Sequence, residues 1–360
     1  MKRILYLLMV ALCATMFTAC SDDDDKDPMN EEEEGGEGVI TMVTETDYVD
    51  VRVFSFNEGD IITIDWGDGT IEEFKTILDE YYDEEEDLET IRYETDLLEH
   101  EYTNDNPHTI TIKGNISGLY CWENNLTSLD VSGCTALTHL ECDYNNLTSL
   151  NVSGCTALTE LNCYGNELTS LDVSKNTELT DLRCGYNNLT SLNVSGCTAL
   201  TELNCYGNEL TSLDVSKNTE LTDLRCRGNN LTSLDVSKNT ALTYLECGYN
   251  NLTSLDVSKN TALTYLECGY NNLTSLDVSK NTALTSLSCN SNNLTSLDVS
   301  KNTKLIDLRC YNNKLTSSAL NKIFGDLPQV EYGYIRMGNN PGSNTCDKSI
   351  AENKGWGVSN

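Results

Sequence analysis

A cysteine recurs every twenty-one residues, from Cys121 through Cys142, Cys163, Cys184, Cys205, Cys226, Cys247, Cys268 and Cys289 to Cys310. The same frame surrounds each of them, as in Leu242-Thr-Tyr-Leu-Glu-Cys-Gly-Tyr-Asn-Asn-Leu-Thr-Ser-Leu-Asp-Val-Ser-Lys-Asn-Thr-Ala262. A unit this short has no core of its own and buries its apolar side only against its neighbours, so the period implies a repeat solenoid. In the unit 137–157, Leu137, Leu140, Cys142, Leu147, Leu150 and Val152 supply the lining, and polar residues between them face water. Ten coils stacked at strand spacing give a parallel sheet on the order of 48 Å long.

Aligned on its cysteines, the unit reads Leu-x-x-Leu-x-Cys-x-x-Asn-x-Leu-x-x-Leu-x-Val-x-x-(Asn/Cys)-x-x. Its opening half is the leucine-rich-repeat signature. The variant resembles the twenty-one-residue, cysteine-ladder repeats of internalin-J-type bacterial surface proteins. That resemblance implies a short strand around each Leu-x-Cys in a parallel β-sheet. It also implies an asparagine ladder from Asn124 to Asn313 that bonds the backbone of successive coils. With so few residues per coil, the convex side is expected to be extended or 3₁₀ rather than helical.

Fourteen of the sixteen cysteines fall in regions expected to fold, which in a secreted protein raises the question of disulfides. Rungs ~4.8 Å apart with parallel side chains match poorly the ~3.8 Å Cβ separation of a bridge. A straight row does not converge on a metal ion either, so the column is expected to hold buried free thiols and no metal. Cys134, Cys155 and Cys197 replace the Asn found at 176, 218, 239, 260, 281 and 302, which suggests a semi-buried slot at a second bend. Cys134 and Cys155, on adjacent coils, could still pair.

The N-terminus reads as a targeting segment. Lys2 and Arg3 precede an apolar run from Ile4 to Phe17, and Thr18-Ala19 precede Cys20. This arrangement resembles a bacterial lipoprotein signal over residues 1–19, which implies lipidation of Cys20 and attachment to the outer membrane; ordinary secretory cleavage is the alternative. Each buried methylene of an acyl anchor contributes roughly 0.8 kcal/mol. Residues 20–37 are acidic and Gly-rich with no hydrophobic period, and read as a disordered tether. The Ser21-Asp-Asp-Asp-Asp25 stretch is similar to the export signal of Gram-negative surface lipoproteins, which implies display on the outer face.

Residues 38–115 change character. Val39–Thr44, Val49–Phe54, Ile61–Trp66 and Thr109–Lys113 alternate or run apolar at strand length, and Gly67-Asp68-Gly69 marks a tight turn. The combination of Trp66-Gly-Asp-Gly-Thr70 with His100-Glu-Tyr102 resembles PKD-like, immunoglobulin-type modules and implies a small β-sandwich-like spacer. An acidic insert at 79–99 departs from that pattern. The repeats then occupy 116–316. Residues 317–360 are expected to close the stack as an α/β cap, with Ser317 or Ser318 capping a helix and Tyr334–Met337 as the edge strand.

A formal net charge of −34 excludes a nucleic-acid surface, which must be basic. The chain shows no zinc-protease helix, nucleophile elbow or phosphate-binding loop, and no cofactor is implied. Glu141 with Glu160, or Glu246 with Glu267, are the carboxylate pairs an acid–base enzyme would need, but solvated sheet charges explain them more simply. Recognition is better supported. Residues flanking the inward Leu and Cys point outward, and they vary from coil to coil. The candidate ligand-binding positions are Tyr120, Trp122, His139, Glu141, Glu160, Asn162, Tyr164, Asp181, Arg183, Tyr206, Arg225, Tyr244, Glu246, Tyr265, Glu267 and Arg309. Exposed Tyr, Trp and Arg on a rigid scaffold are typical of hot spots for a protein ligand. A polysaccharide is the alternative, since residues 144–184 and 186–226 are identical and repeat the surface every ~10 Å.

Overall fold

The computed structural model describes residues 38–83, 88–104 and 106–360, all within one compact unit. The segments 1–19 and 20–37, including Cys20, lie outside the described residues. The chain first forms β1 (Gly38–Thr44), β2 (Tyr48–Ser55), β3 (Ile61–Asp65), β4 (Ile71–Lys75), β5 (Ile77–Asp83), β6 (Leu88–Glu94), β7 (Leu98–Glu101) and β8 (His108–Gly114). β9 (Ile116–Tyr120) and β10 (Leu126–Asp130) follow. One five-stranded sheet has the order β10-β1-β8-β3-β4, while β2 pairs antiparallel with β9 and carries the β5–β6 hairpin beyond it. Alternating strand patterns bury Ile40, Met42, Val51, Val53, Ile62, Ile64, Ile110 and Ile112 completely or almost so. Trp66 is fully buried and stacks on His100, whose Nε2 lies 2.9 Å from Asp68 Oδ2. The Tyr102 hydroxyl donates to the Trp66 carbonyl at 2.8 Å.

Because β2 pairs with β9, the sheet passes without a break from the first strands into the coils. The rungs are β11 (His139–Glu141), β12 (Glu160–Asn162), β13 (Asp181–Arg183), β14 (Glu202–Asn204), β15 (Asp223–Arg225), β16 (Tyr244–Glu246), β17 (Tyr265–Glu267), β18 (Ser286–Ser288) and β19 (Asp307–Arg309). From β11 to β18 each pairs in parallel with the strand twenty-one positions on, as in His139↔Glu160 and Leu140↔Leu161. All ten ladder cysteines are completely buried and free. Burial pushes the thiols of Cys163, Cys205 and Cys289 up to about 12, so they stay protonated and pack as small hydrophobes.

Two side-chain ladders hold the coils together. In the first, Asn208 donates from Nδ2 to the carbonyls of Cys184 and Cys205 at 3.0 and 3.1 Å, and its Oδ1 accepts from Leu189 N at 3.0 Å. The same arrangement recurs along the solenoid, and Asn340, outside the repeats, fills its last position by bonding Cys310 O and Leu315 N. In the second, Asn239 donates to Val215 O and Asn218 O, whereas Cys197 donates its single S–H to Val173 O at 3.3 Å. This slot is fully buried rather than semi-buried: Asn176, Asn239, Cys155 and Cys197 are all at zero exposure. At Cys155 and Cys197 the preceding glycine, Gly154 or Gly196, is required for steric reasons. A Cβ on Gly154 would stand 2.3 Å from Ser132 O.

The convex side is not helical: extended segments, bridged in parallel at Asp130↔Asn151 and Asp172↔Asn193, alternate with separate i→i+3 turns such as Cys134 N to Val131 O and Leu137 N to Cys134 O, with no 3₁₀ run among the described residues. The Asp130 side chain takes Ser132 N at 2.9 Å, which removes that donor from a continuous helical ladder. At the far end, α1 (Ser317–Asp326) buries Leu320, Ile323 and Phe324. Its cap is Thr316 and neither expected serine, because Thr316 is the last extended residue and its side chain accepts from Ala319 N. β20 (Gly333–Arg336) adds in parallel to β19, but β21 (Trp356–Ser359), reached through α2 (Ser349–Glu352), adds beyond it and is the true edge.

Candidate functional site

The strand face presents two outward columns per rung and, just past each cysteine, a third file at the turn. On the early coils His139, Glu141, Glu160, Asn162, Asp181 and Arg183 line one shallow depression. His139 Nε2 lies 3.4 Å from Glu160 Oε1, and Arg183 Nη2 lies 2.7 Å from Asp181 Oδ2 and 3.8 Å from Glu202 Oε2. Burial raises the Asp181 carboxyl to about 6, with Glu202 and Glu160 adding to the rise and Arg183 opposing it.

Later coils carry aromatic stacks. Tyr244 and Tyr265 lie face to face with centroids 4.3 Å apart, and the Arg225 guanidinium covers the other face of Tyr244 at 4.8 Å. The Tyr244 hydroxyl donates to Glu246 Oε1 at 2.6 Å; burial and this bond raise its pKa. Arg225 is held in turn by two bonds to Asp223, at 3.0 and 2.8 Å. Such mutual locking fixes the side chains before any ligand arrives. In the turn file, Tyr144, Tyr164, Tyr186 and Tyr206 follow one another with centroids 5.5, 5.2 and 4.8 Å apart. Arg227 then spans the space between Tyr206 and Tyr249, and Tyr249 stacks on Tyr270 at 3.9 Å.

Comparison with solved structures places this architecture. The functional domain of InlJ from Listeria monocytogenes, described as including a cysteine ladder, is 36% identical over 68% of this chain, with a TM-score of 0.60. The chain spans 59% of the length of that structure. An internalin, InlF, from the same species is 21% identical over 68% of this chain and 82% of its own, with a TM-score of 0.54. The repeat region is a leucine-rich-repeat solenoid. No protein-family model matches the chain, and no curated protein matches it.

Not all the expected contacts of the leucine-rich-repeat face share one site. Tyr120 is packed against Phe54 of β2, with centroids 4.6 Å apart, and Trp122 lies 5.9 Å from Tyr120, so both belong to the upstream end. Arg309, paired to Asp307 at 3.1 Å, stands at the downstream end, eight rungs and roughly 40 Å from His139. Glu267 departs from the expected outward exposure: it is only 5% exposed. Gly248 and Gly269 leave space beside it, and its carboxylate folds down to accept from both glycine amides at 3.1 Å. Burial raises it to about 6, partly opposed by Arg227.

Tyr144, the most exposed ring of the solenoid file at 55%, is absent from the candidate positions. Tyr186, Arg227, Tyr249 and Tyr270 are readable from the sequence as an exposed file just beyond the second outward column, though not among the sixteen candidate positions. The signal that finds them is an exchange between two adjacent positions. Three coils with a bulky residue directly after cysteine carry glycine next, Tyr164-Gly165, Tyr206-Gly207 and Arg227-Gly228. Coils with glycine directly after cysteine carry tyrosine next, as in Gly185-Tyr186, Gly248-Tyr249 and Gly269-Tyr270.

Proposed function

We propose that this is a surface-anchored, non-enzymatic recognition or adhesion protein whose leucine-rich-repeat strand face holds a protein ligand. In this reading Cys20 is acylated and joins the chain to the outer membrane, residues 20–37 extend it from the lipid, and the PKD-like region 38–115 serves as a spacer. The observation that carries the recognition role is the Arg225–Tyr244–Tyr265 stack. Tyrosine and arginine locked in place on a rigid sheet lose little freedom on binding, which is the composition and order of an interface hot spot. The likeness to the InlJ domain supports the same role. Catalysis has weaker support, because burial of Glu267 against glycine amides removes the Glu246–Glu267 pair as a solvent-facing acid and base.

The test is to replace Tyr244, Tyr265 and Glu246 by Ala together and titrate the full chain against a panel of host and bacterial surface proteins. Capture seen with the parent should weaken by at least about a hundredfold while cooperative unfolding is retained. Unchanged capture would overturn the assignment. For the anchor, Cys20→Ala should abolish incorporation of radiolabelled fatty acid, and protease added to intact cells should shave the parent chain.

A further inference from the structure

The turn after each cysteine passes through left-handed backbone space, and four coils place a tyrosine there: Tyr144 (φ 51), Tyr186 (φ 48), Tyr249 (φ 49) and Tyr270 (φ 52). Glycine adopts this conformation without steric penalty, and at the same position it does so in Gly165, Gly207 and Gly228. A bulky side chain held there is strained, and strain of this kind collects at functional positions. Conformation alone does not explain the glycines that alternate with the rings. A Cβ on Gly185 would stand 2.9 Å from the Tyr164 ring, and one on Gly165 would stand 3.0 Å from the Tyr144 ring. At Gly165 and Gly185, glycine therefore clears space for the ring of the preceding coil. Each coil from Tyr144 to Tyr270 carries one large planar group at one of two adjacent positions, Arg227 being the one guanidinium among tyrosine rings. Seven coils at ~4.8 Å per rung make a continuous ridge on the order of 29 Å long.

We infer that this ridge is a second binding site, for a linear β-linked glycan laid along the solenoid axis. An extended peptide is a poorer fit. Strands β11 to β19 are paired on both sides, so no backbone edge beside the ridge is open to an added strand. A row of planar groups set at one per coil suits a polymer of regularly spaced units. Neighbouring rings in the first half are turned 57–65° to each other, and the more exposed ones, Tyr144 at 55% and Tyr186 at 50%, stand two coils apart. That interval, ~10 Å, is of the order of a disaccharide. A β-linked chain whose sugars alternate in orientation presents the same C–H-rich face at every second unit, the face that packs on an aromatic ring. Beside the rings, Asn162, Asp181 and Arg183 recur as Asn204, Asp223 and Arg225 with the same two-coil interval, and offer paired donors and acceptors to vicinal hydroxyls.

The test uses the full chain with β-1,4-linked cello- and chito-oligosaccharides of two to eight sugars, and α-linked malto-oligosaccharides as controls, by titration calorimetry. Saturable binding is expected with one β-linked series only, tightening with length. Tyr144→Gly combined with Tyr186→Gly should weaken it by about a hundredfold, about tenfold for each ring removed. Because glycine already occupies this position in other coils, the thermal midpoint of the variant should be unchanged or higher. Absence of saturation by any β-linked glycan would overturn the inference, as would parent-like binding by the double variant. Loss of protein capture by that variant without any glycan binding would overturn it too, and would assign the ridge to the protein partner.

Discussion

The two sides of the solenoid obey different rules. On the convex side nearly every coil repeats Leu-Thr-Ser-Leu-(Asp/Asn)-Val-Ser, with the Asp or Asn side chain accepting from the serine amide two residues on, as at Asp214 and Asp235. On the strand side the outward position carries His139, Glu160, Asp181, Tyr244 and Ser286 in turn, although the backbone register never changes. Repetition follows from bonding between coils: an asparagine on one coil satisfies the backbone of the coil before it, so each must stay as it is. Variation appears where the sheet already satisfies the backbone and side chains are free to differ.

This contrast predicts a hierarchy of mutational effects. Asn208→Ala strips partners from Cys184 O, Cys205 O and Leu189 N in the interior, and should destabilise by about 3 kcal/mol in urea unfolding. A loss within the scatter of surface substitutions would erase the distinction between the two sides.

Glu267 sharpens the contrast, because it belongs to the strand face yet behaves as an interior group. Its carboxyl is raised from 4.5 to about 6, so its stabilising contribution is fully present below the unfolded value and is lost as pH rises through about 6. Relative to Glu267→Gln, wild-type stability should therefore fall by about 2 kcal/mol between acid and neutral pH. Parallel pH profiles for the two proteins would show that Glu267 is solvated after all. The smallest effect is expected at Arg309, whose exposed pairing to Asp307 at 3.1 Å should be worth under about 0.5 kcal/mol on truncation to Ala.

Much of the scaffold was legible because one period writes it ten times. The cysteine spacing and the asparagine of Asn145 or Asn166 announce coil length, lining and inter-coil bonding without reference to distant residues. Glu267 was misjudged because its fate depends on Gly248, a neighbour nineteen positions earlier that leaves a vacancy into which the side chain folds. Strand alternation gives a direction for Cβ but not the course of a long side chain. Tyr144 was missed for a related reason: members of the file come from two adjacent positions, and on its coil the polar Asp143 stands at the first and hides the ring at the second. The order of the terminal strands was hidden because β21 pairs with β20 across a helix and loops that carry no period.

The last rung of the asparagine ladder is filled from outside the repeats, by Asn340. Each coil thus presents to the next the same socket that the closing segment accepts. Removing or adding whole twenty-one-residue copies leaves both ends matched, so the reach of the gripping surface can lengthen or shrink by recombination between near-identical stretches of gene, without redesign of either terminus.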